Sequence, residues 1–191
     1  MKNPSDSFAE PSSSWPAPTD FWIVYSLNVR VPGEVSRLAE ELRPALLDFE
    51  TIREHHTLLC KRLGDAPAGG TARLHKQVRA AIAGAPPFEA RITGIDYFAR
   101  PPVGEGPVVY LAVESPGLRQ VHGRLVEDFS TIEEFQGDDY VPHITLARGG
   151  DVAAARRLAE REVESVTWTI SRLALWDARY REEVAGFSLP A

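Results

Sequence analysis

Cysteine and methionine are almost missing from this 191-residue chain, which has one of each. A single thiol, Cys60, excludes an internal disulfide and any cysteine-based zinc finger. No apolar run approaches the ~20 residues that a membrane-spanning helix needs. The opening stretch, MKNPSDSFAEPSSSWPAP, lacks the apolar segment of a secretory leader, so the expectation is a soluble, cytoplasmic protein. Positive charge is also in deficit, with 21 Lys+Arg against 27 Asp+Glu and a formal net charge of -6. That balance argues against a protein that coats nucleic acid non-specifically, because such affinity comes from neutralising many phosphates at once. It leaves room for a small site that grips one phosphate group, since a pocket is built from a few local residues. No Gly-rich phosphate loop follows the first strand-like run, which argues against a nucleotide-hydrolysing P-loop enzyme.

What is present is an ordinary globular composition, 43% hydrophobic and 25% charged, in a length that fits one domain or two small lobes. Residues 1–19 are rich in Ser and Pro and show no apolar period. They read as a disordered or loosely docked tail, with Trp15 as the one residue able to pin it. Residues 20–191 read as a single domain. FWIVYSLNV (21–29) has the β-branched and aromatic character of a strand. Apolar spacing of three and four predicts a helix over 34–47, strained at Pro44. A strand over 49–64, a helix over 71–83 and strands over 88–100 and 107–114 follow. The chain continues with a helix over 118–129, a polar loop over 130–139 and a strand over 139–148. A helix over 151–163 with Asp151 as N-cap then leads to strands over 166–178 and 179–189. Helices interleaved with mostly antiparallel strands make the class α+β.

A short sequence occurs twice. His55-His56-Thr57-Leu58 and His143-Ile144-Thr145-Leu146 both have the form His-x-Thr-Leu, and both lie in predicted strands. Strand alternation places His55 with Thr57, and His143 with Thr145, on a common face. Two imidazoles and two hydroxyls suit displacement at a phosphodiester. One imidazole takes a proton from the attacking oxygen and the other gives one to the leaving oxygen, without a metal. The hydroxyls hydrogen-bond to the non-bridging oxygens, where charge accumulates.

These motifs, and above all the run Pro142-His143-Ile144-Thr145-Leu146-Ala147-Arg148, resemble those of the two-histidine phosphoesterase superfamily, specifically the 2′-5′ RNA ligase / RNA 2′,3′-cyclic phosphodiesterase family. The resemblance covers most of 21–189. It implies a bilobal α+β fold, with two pseudo-symmetric antiparallel-sheet lobes and outer helices around a central cleft. It implies His55 and His143 as the acid/base pair, Thr57 and Thr145 as phosphate-oxygen donors, and Arg148 as a substrate-binding residue. The implied activity is metal-independent opening of terminal RNA 2′,3′-cyclic phosphates to 2′-phosphates without a cofactor, accompanied by weak 2′-5′ RNA ligation; a monomer is expected, although the sequence itself is silent on oligomeric state. The same site on a small cyclic nucleotide, ADP-ribose cyclic phosphate or 2′-5′ oligoadenylate is the alternative enzyme. A non-catalytic nucleotide- or RNA-binding module is the alternative of another class, but it would be expected to have lost a His or Thr from one motif.

The first motif departs from the family pattern: His56 fills a slot that is usually apolar, and LCKR intervenes before Leu63-Gly64. Either the strand bulges or His56 faces the cleft in place of His55. Spacing favours His55, which alone sits two residues from Thr57. A lone strand histidine is by default a hydrogen-bonded structural residue, and His75 and His122, within predicted helices, read that way. Arg148 has a bland alternative as a solvated strand-end charge. Arg53, Lys61 and Arg62 flank the first motif and could attract RNA, with plain surface charge as the bland alternative. A zinc site would want a third ligand at close spacing, and the residue two beyond each His is Thr.

Overall fold

A computed structural model of the protein describes residues 25–101, 104–129 and 139–190. The predicted tail with Trp15, the start of the first strand at 21–24, and most of the polar loop over 130–139 lie outside the described residues. The described chain builds two antiparallel sheets and four helices, an α+β architecture.

The first sheet has the order β3-β1-β8-β9, formed by β1 (Tyr25–Arg30), β3 (Thr57–Gly64), β8 (Arg172–Asp177) and β9 (Glu182–Ser188). The second has the order β2-β6-β5-β4-β7, formed by β2 (Thr51–Ile52), β4 (Phe88–Phe98), β5 (Val108–Glu114), β6 (His143–Arg148) and β7 (Thr167–Ile170). Leu27, Leu58, Leu173 and Leu175 of the first sheet and Ile92, Leu111, Ile144 and Leu146 of the second are fully buried. They join Val35 of α1 (Gly33–Leu42), Leu74 of α2 (Gly70–Ala81), Leu118 of α3 (Pro116–Asp128) and Ala155 of α4 (Val152–Ala159) in one continuous apolar cluster.

Two of the predicted strands are each two strands in different sheets. The run over 49–64 divides at residues 53–56. The Arg53 amide makes a last bond to the Leu146 carbonyl of the second sheet (2.8 Å), and Thr57 then pairs with Arg30 in the first. The run over 166–178 divides at Ser171, between Ile170 opposite Phe88 and Arg172 opposite Ser188. A strand must bend to leave one hydrogen-bonded ladder for another, and both runs are apolar enough on each side to hide that bend. The predicted helix over 34–47 stops at Leu42, and a 3-10 turn takes up Arg43–Leu46. Pro44 lacks the amide that a continuing helix would need. The strand over 139–148 begins only at His143, and the helix over 151–163 ends at Ala159. Asp151 caps α4 as expected, accepting from the Ala153 amide at 3.0 Å.

Candidate active site

Strand β6 carries the second motif. It pairs with β5 so that His143 lies opposite Ala112, Thr145 opposite Tyr110, and Arg148 opposite Val108. Ideal alternation would turn Arg148, three residues beyond Thr145, to the opposite face. The register shifts at Leu146, which has no partner of its own in β5, and this bulge returns Arg148 to the face of His143 and Thr145. Ile144 and Ala147 point the other way and are fully buried. Arg148 is half-buried rather than a solvated strand end, and its guanidinium lies close over Gly104.

The half-buried His143 ring packs against Phe98 edge-on at 5.3 Å and against Tyr110 at 5.0 Å. Its Nδ1 lies 2.7 Å from the Val141 carbonyl. A carbonyl can only accept, so Nδ1 carries the proton and Nε2 is left as a proton acceptor. Burial is the largest influence on this imidazole and pulls its pKa below the ordinary value; the bond to Val141 opposes the shift, and the charges of Arg148 and Arg62 reinforce it. His143 is therefore neutral at neutral pH. Tyr110 hydrogen-bonds to Asp96, and burial followed by that carboxylate raises its pKa.

Strand β3 carries Thr57 opposite Arg30, Leu59 opposite Asn28, Lys61 opposite Leu27 and Arg62 opposite Ser26. Cys60 is the extra residue here, so a second bulge brings Arg62 to the face of Thr57. Lys61 is turned inward and buried, which lowers its pKa. The sequence offers Arg62 only as a charge flanking the first motif, able to attract RNA or merely solvated. Only the bulge and its influence on His143 mark it as part of the site.

His55 does not lie in a strand. It sits in the bend between β2 and β3 and is exposed, while His56 beside it is half-buried. Alternation thus does not set the face of His55 relative to Thr57. His55, His56 and Thr57 line one cavity of about 260 Å³ together with Arg30, Ser36, Glu40 and Glu54. Burial lowers the pKa of His56, opposed by the charge of Glu40. The Arg53 amide, two residues before His55, bonds to the Leu146 carbonyl of β6, and β3, which carries Thr57, packs on β6. The structure thus gathers His143, Thr145, Arg148 and Arg62 in one group, and His55, His56 and Thr57 in another along the adjoining bend. Among the described residues, no three His, Cys, Asp or Glu side chains cluster as metal ligands do.

The remaining histidines fall where helix packing puts them. His75 meets Phe187 edge-on, and His122 is buried under Tyr140. Phe98 and Tyr110 were visible in the sequence only as strand residues, and nothing local ties them to His143.

The family model described as the 2′-5′ RNA ligase superfamily matches residues 29–181, a span that includes both His-x-Thr-Leu motifs. The chain belongs to that superfamily. Its fold is shared with E. coli LigT, whose crystal structure with 3′-AMP superposes with a TM-score of 0.64 at 16% identity, covering 88% of this chain and 98% of LigT. TT0787 of Thermus thermophilus superposes with a TM-score of 0.61 at 21% identity, covering 87% of this chain and 97% of that one. LigT has also been solved in complex with phosphate, with a TM-score of 0.54 at 18% identity over 88% of this chain and 98% of LigT. Comparison with curated proteins gives no match. These likenesses establish the two-lobed fold of the superfamily. Among the described residues no helix is long and apolar enough to cross a membrane.

Proposed function

We propose that this protein is a metal-independent RNA 2′,3′-cyclic phosphodiesterase that opens terminal cyclic phosphates to 2′-phosphates, with 20–191 acting as one bilobal, monomeric unit. The observation that carries the reading is the His143 imidazole, its Nδ1 proton engaged by Val141, on one strand face with Thr145 and Arg148, where burial and the charge of Arg62 lower its pKa. In this reading His143 Nε2 removes a proton from water as the water oxygen bonds to phosphorus. The bond from phosphorus to the ribose 3′ oxygen breaks, and His55 gives that oxygen its proton. Thr57 and Thr145 hydroxyls and the Arg148 and Arg62 guanidinium groups hold the non-bridging oxygens, where negative charge grows. An RNA 5′-hydroxyl in place of water would leave a 2′-5′ linkage by the same displacement. Bulk water outcompetes that end, so ligation is the minor reaction. The phosphate and 3′-AMP complexes of LigT support a phosphate-centred site on this fold.

The test is an oligonucleotide ending in a 2′,3′-cyclic phosphate, incubated with the full chain in EDTA. The expected product is a 2′-phosphate that resists a 3′-specific phosphatase. His143→Ala and His55→Ala should each lower kcat by roughly 10²–10⁴-fold, the usual contribution of a positioned acid or base. Intact substrate after hours at micromolar protein would overturn the proposal. Loss of activity in His56→Ala but not in His55→Ala would reassign the acid.

A further inference from the structure

We infer that Tyr140 and His122 are positioning residues, a stacked pair that fixes the strand bearing His143 against the strand bearing Thr57 and Arg62. The inference rests on the phosphodiesterase reading above and names what holds its two halves in register.

The two rings lie parallel, 3.8 Å between centroids and 3° between planes. Both side chains are buried, Tyr140 5% exposed and His122 2%. Packing alone would be served by two apolar rings, yet each of these also donates a hydrogen bond into β3. The Tyr140 hydroxyl donates to the Leu59 carbonyl at 2.6 Å, and His122 Nδ1 donates to the Cys60 carbonyl at 2.7 Å. Those carbonyls belong to the residue of the β3 bulge, Cys60, and the one before it, where the ladder to β1 is interrupted and Arg62 is turned to the site.

The same pair is tied to His143. Tyr140, Val141 and Pro142 precede β6 in an irregular stretch, and each of their carbonyls has its own donor. The Tyr140 carbonyl accepts from the Arg119 guanidinium of α3 at 2.6 Å, Val141 from His143 Nδ1 at 2.7 Å, and Pro142 from the Val113 amide at 3.1 Å. The backbone that selects the His143 tautomer is thus anchored on one side to α3 and β5, and through the Tyr140 hydroxyl to β3.

β3 and β6 belong to different sheets, so no ladder between them fixes their spacing. Apolar contact is non-directional and tolerates a slide. Hydrogen bonds at 2.6–2.7 Å do not. An error on the order of 1 Å between a base and the groups that hold the phosphate costs about 10²-fold in rate. Long guanidinium side chains can follow a displaced phosphate, whereas a base, a water and phosphorus in line cannot. The cost of loosening the pair should therefore appear in kcat rather than KM.

Tyr140→Phe keeps the ring and its stack but removes the bond to Leu59. His122→Phe keeps the stack but removes the bond to Cys60. With each variant shown by circular dichroism to be folded at the assay temperature, kcat on the cyclic-phosphate oligonucleotide should fall about tenfold, with KM changed less than twofold. In ring-nitrogen NMR spectra His143 should pass from the single Nδ1–H tautomer to a mixture in Tyr140→Phe. A folded Tyr140→Phe protein with wild-type kcat, or with a raised KM at unchanged kcat, would overturn the inference and leave the pair a packing element. A wild-type protein inactive on cyclic phosphate defeats the functional reading instead. The NMR measurement then decides this one: a mixed tautomer supports the positioning role, and an unchanged single tautomer overturns it.

Discussion

Ser115 tests how tightly α3, the helix that carries Arg119 and His122, is bound to the second sheet. The residue is 1% exposed, and its hydroxyl makes two bonds in different directions. The oxygen accepts from the Leu118 amide at 3.3 Å, closing the first turn of α3, and the proton goes to the Glu89 carbonyl of β4 at 2.6 Å. Ser115→Ala removes both. Loss of an N-cap costs about 1 kcal/mol, and loss of the bond to the Glu89 carbonyl, a part-buried one, about 0.5–1.5 kcal/mol. Together they destabilise by about 1.5–2.5 kcal/mol, to be read as a shift of the urea midpoint at unchanged slope. For a chain of this length each kcal/mol moves the melting temperature by roughly 2–4 °C. A fall of roughly 3–10 °C in the circular dichroism melt is expected. Ser115→Thr keeps the hydroxyl and should lose less than about 1 kcal/mol. An alanine variant melting within about 2 °C of the wild type would refute the accounting, because it would mean that water or a shifted backbone satisfies Glu89 at no cost.

Three further outcomes follow from the site. The base must be unprotonated to act, and burial holds the His143 pKa below its ordinary 6.5, so the acid limb of the kcat/KM profile should lie below that value. A pH–rate profile whose acid limb lies above it would remove His143 as the base. Arg62→Met deletes a charge that disfavours protonated His143, so the acid limb should move to higher pH while KM rises; an unmoved limb would place Arg62 outside the site. Gly149→Ala puts a Cβ at a φ of 77°, 2.7 Å from Glu50 Cδ and 2.8 Å from Glu50 Cβ, immediately after Arg148. It should destabilise by about 2 kcal/mol or more and raise KM by displacing Arg148, as read by thermal melting and steady-state kinetics.

The elements with strong local signals were legible. The apolar stripe Val35, Leu38 and Leu42 marks α1, the Asp151 cap marks α4, and β4 and β5 read as strands from their β-branched and aromatic residues. The repeated His-x-Thr-Leu motif pointed to a pair of related strands and, through its chemistry, to phosphate. Less legible was where one ladder ends and another begins. Residues 53–56 and Ser171 are crossings between sheets, and the residues on either side continue the same apolar pattern.

What the sequence by itself determined is the kit: the α+β class, two imidazoles paired with two threonines, and an arginine near each pair. What only the tertiary structure decided is which of these share a face. Arg148 stands three residues from Thr145 and Arg62 five from Thr57, odd offsets that an ideal strand turns away from the threonine. Each comes back because one residue between threonine and arginine has no partner in the neighbouring strand, Leu146 against β5 and Cys60 against β1. The aromatic wall of Phe98 and Tyr110 and the Tyr140–His122 stack likewise join residues far apart in the chain. Local spacing encodes period and propensity, but register is a relation between two strands and comes into being only when they meet.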